Sequence, residues 1–247
     1  MKINILENPI ELGKVAAQYC AEIINETIAR KDKARIVLST GASQFDTIKA
    51  LTEMNIDWNK VEMFHLDEYI GLPESHPASF RKYLKERFLA KVSIRKAYLI
   101  DGDDDLQKVI AYLTAEIRKE PIDIGLIGIG ENAHIAFNDP PADFGTEEAF
   151  IGVTLNETCK QQQVREGWFV TVDDVPKQAI SMTVHQIMQC RYIVSCVPSA
   201  VKAKAIRDTL EYQLTNTIPA TMLKKHPNFT LFLDKYSASL IDAGKFR

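Results

Sequence analysis

The sequence predicts an α/β fold built on a mostly parallel sheet with helices on both faces. Three observations carry this. Short apolar runs alternate with amphipathic helical stretches along almost the whole chain. Several runs end in small or polar residues, the place where open α/β sheets bind ligands. No linker, internal repeat or low-complexity segment interrupts the alternation, so a single domain over residues 1–247 is expected.

Ile3, Ile5 and Leu6 suit a short first strand. Pro9 stands at a helix start, where its missing N–H costs nothing. Leu12, Val15, Ala16, Tyr19, Cys20, Ile23, Ile24 and Ile28 then recur on one face, which predicts a long amphipathic helix. The basic group Arg30 to Arg35 reads as a solvated turn. Arg35 to Leu38 reads as a buried strand running into Ser39-Thr40-Gly41-Ala42-Ser43. A helix carrying Phe45, Ile48 and Leu51 follows. Small residues at such a junction leave backbone N–H groups facing an anion, and the helix dipole adds to the attraction. The same residues would also make a plain turn with Ser43 as N-cap.

Val61 to His65 is the next strand, and Asp67 and Glu68 lie just past its end. They are a candidate general-base pair, or a turn in which one carboxylate caps the following helix. That helix begins at Ser79 and points Phe80, Tyr83, Leu84 and Phe88 inward. Ala97 to Ile100 suits a short strand. The acidic run Asp101 to Asp105 lacks the spacing of a calcium loop and reads as a polar turn into a helix over Leu106 to Lys119. The apolar run Ile122 to Ile129 leads into Gly128-Ile129-Gly130 and then His134, Asn138 and Asp139. This stretch reads as the wall of a small-molecule site, with a sugar phosphate as its ligand.

Phe150 to Leu155 is a strand, and the polar stretch Asn156 to Trp168, with Gln161, Gln162, Gln163 and Arg165, a loop or helix. Ala179 to Met182 reads as a turn into another element, with a short helix over Ser181 to Met188. Arg191 to Val197 is a strand ending in Pro198-Ser199-Ala200-Val201-Lys202, which opens a helix through Ala205, Ile206 and Leu210. A lysine in a first helical turn opposes the macrodipole, and an anionic ligand would offset that. Phe229 to Leu233 is a last strand, and Lys235 to Ala243 a terminal helix.

A net charge of −3 gives no global attraction to nucleic acid or an anionic membrane. No apolar run reaches membrane-spanning length and no signal peptide opens the sequence, so a cytoplasmic protein is expected. Cys20, Cys159, Cys190 and Cys196 show neither a Cys-x-x-Cys pair nor zinc-finger spacing, which predicts free thiols.

Leu38-Ser39-Thr40-Gly41-Ala42-Ser43, Leu66-Asp67-Glu68-Tyr69-Ile70-Gly71-Leu72, Gly128-Ile129-Gly130 and His134-Ile135-Ala136-Phe137-Asn138 resemble the glucosamine-6-phosphate deaminase/isomerase family. Order and spacing match along nearly the whole chain. Ser75 to Phe80, Val175 to Ala179 and Ile218 to Thr221 are similar too. The resemblance implies a three-layer, modified Rossmann-like sandwich. It implies an aldose–ketose isomerisation coupled to loss of ammonia, from glucosamine 6-phosphate to fructose 6-phosphate, with no metal or organic cofactor. By the same resemblance Asp67 is the proton-transfer base and His134 the ring-opening group. Thr40, Gly41, Ala42, Ser43, Glu68, Gly130, Arg165 and Lys202 hold substrate and phosphate.

Two positions depart from the family pattern. Asn132 and Asp139 stand where the family has an aspartate and a glutamate around the histidine, and Ala133 replaces a glycine. Asn132 is expected to orient His134 without stabilising an imidazolium. The basic residues of allosterically activated members are missing, with Ala149 and Ile151 near their places, so that activation is not expected. Competing readings are an enzyme for another phosphorylated sugar, a catalytically impaired sugar-phosphate regulator, and a lactonase-type hydrolase. The His-Ile-Ala-Phe-Asn continuation argues against the lactonase. A homo-oligomer stays open, since the family contains monomers and larger assemblies.

Overall fold

A computed structural model describes residues 1–246, and the last residue of the expected 1–247 span lies outside the described residues. The strands are β1 (Lys2–Leu6), β2 (Ala34–Leu38), β3 (Val61–His65), β4 (Asp67–Tyr69), β5 (Lys96–Tyr98), β6 (Ile124–Leu126), β7 (Phe150–Thr154), β8 (Gln178–Met182), β9 (Tyr192–Val197) and β10 (Phe229–Asp234). The α-helices are α1 (Pro9–Lys31), α2 (Phe45–Thr52), α3 (Phe80–Leu84), α4 (Leu106–Ile117), α5 (Glu157–Arg165), α6 (Val184–Met188) and α7 (Ala203–Glu211).

Seven strands form one sheet in the order β1-β10-β9-β6-β2-β3-β5, and every pairing in it is parallel. Its residues alternate between two cores. Ile36, Leu38, Met63, Val194, Cys196 and Phe232 face one, with α1, α2 and α3. Val37, Phe64, Ile193, Val197, Leu231 and Leu233 face the other, with α4, α6 and α7. Both faces are therefore covered, the three-layer arrangement that runs of Val, Ile and Leu require of a parallel sheet.

Strand order decides where the site lies. From β2 the chain steps outward to β3 and β5, then returns to place β6 on the other side of β2. The connections part company between β2 and β6, so a crevice opens at their carboxyl ends. Ser39 to Ser43 leaves one lip of it and Gly128 to Gly130 the other. A second sheet, β4-β8-β7, is antiparallel and begins only two residues after β3 ends, pairing Asp67 with Ser181. It roofs the same end of the main sheet.

Several local expectations are corrected. Ala179 to Met182 is a strand rather than a turn, and the helix after it starts at Val184 with Thr183 as its cap. Gln44 rather than Ser43 is the N-cap residue of α2. Lys235 to Leu240 forms turns instead of a helix, because Asp234 and Ser237 lock them locally. Val15 is exposed although it shares the α1 pattern. Arg35 is buried rather than solvated: its guanidinium donates to the Glu116 and Ile117 carbonyls, pairs with Glu62 and covers the Phe64 ring.

α1 and α2 cross in close contact at Gly13. A Cβ there would stand 2.7 Å from the Asp46 carbonyl carbon and 2.9 Å from the Thr47 nitrogen. Gly13→Ala gains about 1 kcal/mol of helix propensity but forces backbone apart, which costs about 1–3 kcal/mol. A net loss of about 1 kcal/mol, read as a Tm lower by about 2–4 °C, is expected in a thermal melt. An unchanged or higher Tm would show that the helices separate freely.

Candidate active site

One cavity gathers the loops that leave the strand ends. Its walls include Ser39 to Ser43, Asp67, Gly130, His134 and Lys202. The first loop turns sharply. Gly41 takes a φ of +99°, and Ala42–Gln44 coil into a single turn ahead of α2. The leading N–H groups of such a turn have no partner within it. Gln44 anchors the turn: its amide donates to the Cys196 carbonyl at 3.1 Å and to Ser43 Oγ at 3.0 Å. Across the cavity Lys202 is only 6% exposed and makes no ion pair among the described residues. Burial lowers its ammonium pKa, with Glu166 and Glu131 pulling the other way. A buried, unpaired cation and free N–H groups thus line the same cavity, a combination whose charge and donors complement an anion.

Asp67 and Glu68 are adjacent, yet β4 sends them to opposite sides. Asp67 opens on the cavity, and burial, with the Glu68 charge adding to it, pushes its carboxyl up to about 8. Glu68 points into the protein. It accepts from the Tyr69, Phe80 and Arg81 backbone N–H groups and from Ser79 Oγ. Arg81, in turn, pairs with Asp101 and Asp103. Glu68 thus caps α3, and no side-chain oxygen of it lines the cavity, so it is not placed to touch a ligand. Burial raises its pKa, although those four donors lower it in part.

His134 stands over Gly130, where a Cβ would lie 2.2 Å from the ring. Its Nδ1 is 2.6 Å from Asn132 Oδ1 and 3.3 Å from Asp139 Oδ1. Both neighbours accept, so in the neutral ring the proton sits on Nδ1 and Nε2 keeps a lone pair. The Asn132 amide donates to Asp139 at 3.2 Å. Burial lifts the Asp139 carboxyl, but the hydrogen bond and charge of His134, with Asn132 and Cys159, outweigh this and hold it below the usual range. The loop is strained as well as bonded: Ala133 and Ala136 sit at φ +64° and +51°. These are left-handed values that an alanine adopts only at a cost.

A model of the glucosamine-6-phosphate isomerases/6-phosphogluconolactonase family matches residues 7–232. The chain belongs to this family. It is 32% identical over 243 residues to a glucosamine-6-phosphate deaminase of Oenococcus oeni, covering 98% of this chain and 99% of that one. A deaminase of Thermoanaerobacter pseudethanolicus is 36% identical over 249 residues, covering 98% and 95%. Among solved structures, a monomeric glucosamine-6-phosphate deaminase superposes with a TM-score of 0.88 at 31% identity, over 98% of this chain and 100% of that one. A 6-phosphogluconolactonase from Trypanosoma brucei reaches 0.81 at 16% identity over 98% of each chain, which speaks for the fold alone.

Measured against the family motifs, the structure brings Thr40 to Ser43, Asp67, Gly130, His134 and Lys202 to one cavity, with Asn132 and Asp139 directly behind the histidine. Arg165 is elsewhere: it is exposed and its guanidinium bonds Glu131 at 2.7 Å. The cavity also takes Gln162, Gln163, Glu166 and Trp168 from α5 and the turn after it. In the sequence this stretch is polar, and Arg165 apart it carries no expected role. The available signal was a helix with almost no apolar face. No group of three or more His, Cys, Asp or Glu among the described residues is arranged to hold a metal ion.

The Asp67 environment has a thermodynamic signature. Folding raises its pKa from 3.8 to about 8. Its stability contribution is therefore present below the unfolded value and lost as pH rises through the folded one. Asp67→Asn does not titrate, so its Tm advantage over the wild type should open between pH 4 and 8 and stay level above. A constant difference across that range would mean that Asp67 ionises normally.

Proposed function

We propose that this protein deaminates and isomerises glucosamine 6-phosphate, giving fructose 6-phosphate and ammonia. The observation that carries the reading is Asp67. A buried carboxyl with its pKa pushed up to about 8 opens on the cavity that holds the phosphate cradle and His134. A general base works best with a pKa near the working pH, and burial next to a second carboxylate is how a protein lifts an aspartate there. Full-length similarity to deaminases supports the same reading.

The Gly41 to Ser43 turn and Lys202 take the phosphate. His134 Nε2 accepts the proton of the anomeric hydroxyl and returns it to the ring oxygen, which opens the sugar. Asp67 then removes the proton from carbon 2. The C–H electron pair becomes the carbon 1–carbon 2 double bond, the carbonyl pair moves onto oxygen 1, and that oxygen takes a proton from the amino group; the nitrogen lone pair then forms the bond to carbon 2 as the double-bond pair takes the proton back from the carboxyl at carbon 1. The amino-bearing carbon 2 is now an imine; water adds to it and ammonia leaves, so the ketose phosphate and ammonia account for substrate plus water. The cationic amino group next to Asp67 favours its ionised form once substrate is bound. The setting is a cytoplasmic enzyme acting through a single domain over residues 1–247 on a small-molecule sugar phosphate.

Ammonia release from glucosamine 6-phosphate, in a coupled assay against a no-enzyme control, tests the assignment. A folded sample with no release would remove it. Asp67→Asn should lose at least about a thousandfold in kcat, while inorganic phosphate inhibits as before. In the wild type kcat/KM should rise with pH on an acid limb near 8, because the free enzyme must lose the Asp67 proton.

Asp139 already meets His134 Nδ1, so a second carboxylate in Asn132→Asp should change kcat by less than about tenfold. A gain of several orders of magnitude would point to a different phosphorylated sugar as the substrate.

A further inference from the structure

The buried face of α5 is polar where a packed helix is normally apolar: its buried residues are Cys159, Gln162 and Gln163. A buried amide without a partner costs about 1–3 kcal/mol, so each glutamine calls for a use. Gln162 has a structural one. Its Oε1 accepts the Glu131 N–H at 3.4 Å, and its Nε2 donates to Glu166 at 2.7 Å. This ties the helix to the histidine loop.

Gln163 has none. It is 6% exposed and lines the cavity, and its side chain makes no hydrogen bond to another described residue. Its amide is not sealed in the packing. The open side of the amide is the cavity. One helical turn earlier on the same face, Cys159 lies against Asp139, close enough to Asp67 and Glu166 to feel their charges. The face that carries Gln163 is thus the face turned to the reacting groups.

We infer that Gln163 is a specificity-determining residue whose carboxamide hydrogen-bonds a hydroxyl of the sugar's carbon chain. The inference rests on the sugar-phosphate reading above. Phosphate is met by the Gly41 turn and Lys202, and proton transfer by Asp67 and His134. What remains of a hexose phosphate is a row of hydroxyls, each both donor and acceptor. A carboxamide offers both functions at once, whereas a carboxylate or an ammonium offers one. Because the amide is buried, a ligand that leaves it unpaired forfeits the water bond as well, and that is a strong basis for rejection.

Gln163→Leu keeps the approximate volume and removes both functions. Its kcat/KM for glucosamine 6-phosphate should fall about 10- to 100-fold. Inhibition by inorganic phosphate should stay within about twofold, and the Tm should not fall, because the amide makes no bond within the fold for the substitution to break. A loss below about twofold, or equal weakening of phosphate, would overturn the assignment. So would a lowered Tm with all binding gone, which would make Gln163 a packing residue. If the wild type releases no ammonia, the deaminase reading fails separately. Binding of glucose 6-phosphate, followed by calorimetry, then decides: it must weaken at least about tenfold in Gln163→Leu for the inference to stand.

Discussion

The site depends on the buried carboxylate of Glu68. It collects four donors from Ser79, Tyr69, Phe80 and Arg81. A charge this deep survives only when its lone pairs are taken. Those bonds hold β4 against the start of α3 and bring Arg81 to the acidic turn around Asp101 and Asp103. Asp67, one residue before, has nowhere to turn but the cavity. The same charge adds to the burial that lifts Asp67. One residue therefore positions Asp67 and helps to set its acidity without lining the cavity itself.

The sheet supplies what Glu68 cannot. A crevice opens where the strand connections reverse, between β2 and β6, so the Gly41 turn and a glycine-lined loop face each other there. The small antiparallel sheet closes the space from above. Asn138 reaches across to the Met182 carbonyl at 2.8 Å and so fastens the histidine loop to that roof. Asn132 and Asp139 then act as a pair behind His134. The amide fixes the tautomer, and the carboxylate supplies the charge an imidazolium would need.

Most of this frame was legible in the sequence. Apolar alternation located the seven parallel strands, and the polar loops at their ends located the cavity. The parts that escaped share a physical cause. Asp67 and Glu68 read either as a base pair or as a turn with one capping carboxylate, and which of them caps is decided only once Ser79 and Arg81 fold back over Glu68. The short strands β4 and β8 carry no distinctive period, and they are specified by pairing across a long stretch of chain. Gln162 and Gln163 are buried polar residues, and apolar periodicity cannot register a face that packs through amides. Arg165 departs in the opposite sense: the family resemblance suggested phosphate, but its guanidinium bonds Glu131 and does not line the cavity.

The pairing of β1 with β10 bears on how the chain folds. Lys2 lies beside Thr230 and Leu6 beside Asp234, so the strand nearest the start waits for the strand nearest the end. α1 and α2 meet early along the chain, whereas this edge closes only after β9 and β10 are in place. Contacts this distant in sequence slow folding, because the intervening chain must be organised before they give any return. During synthesis β1 is accordingly the segment with the longest exposure as an unpaired strand, and β10 is the one that ends its risk of wrong pairing.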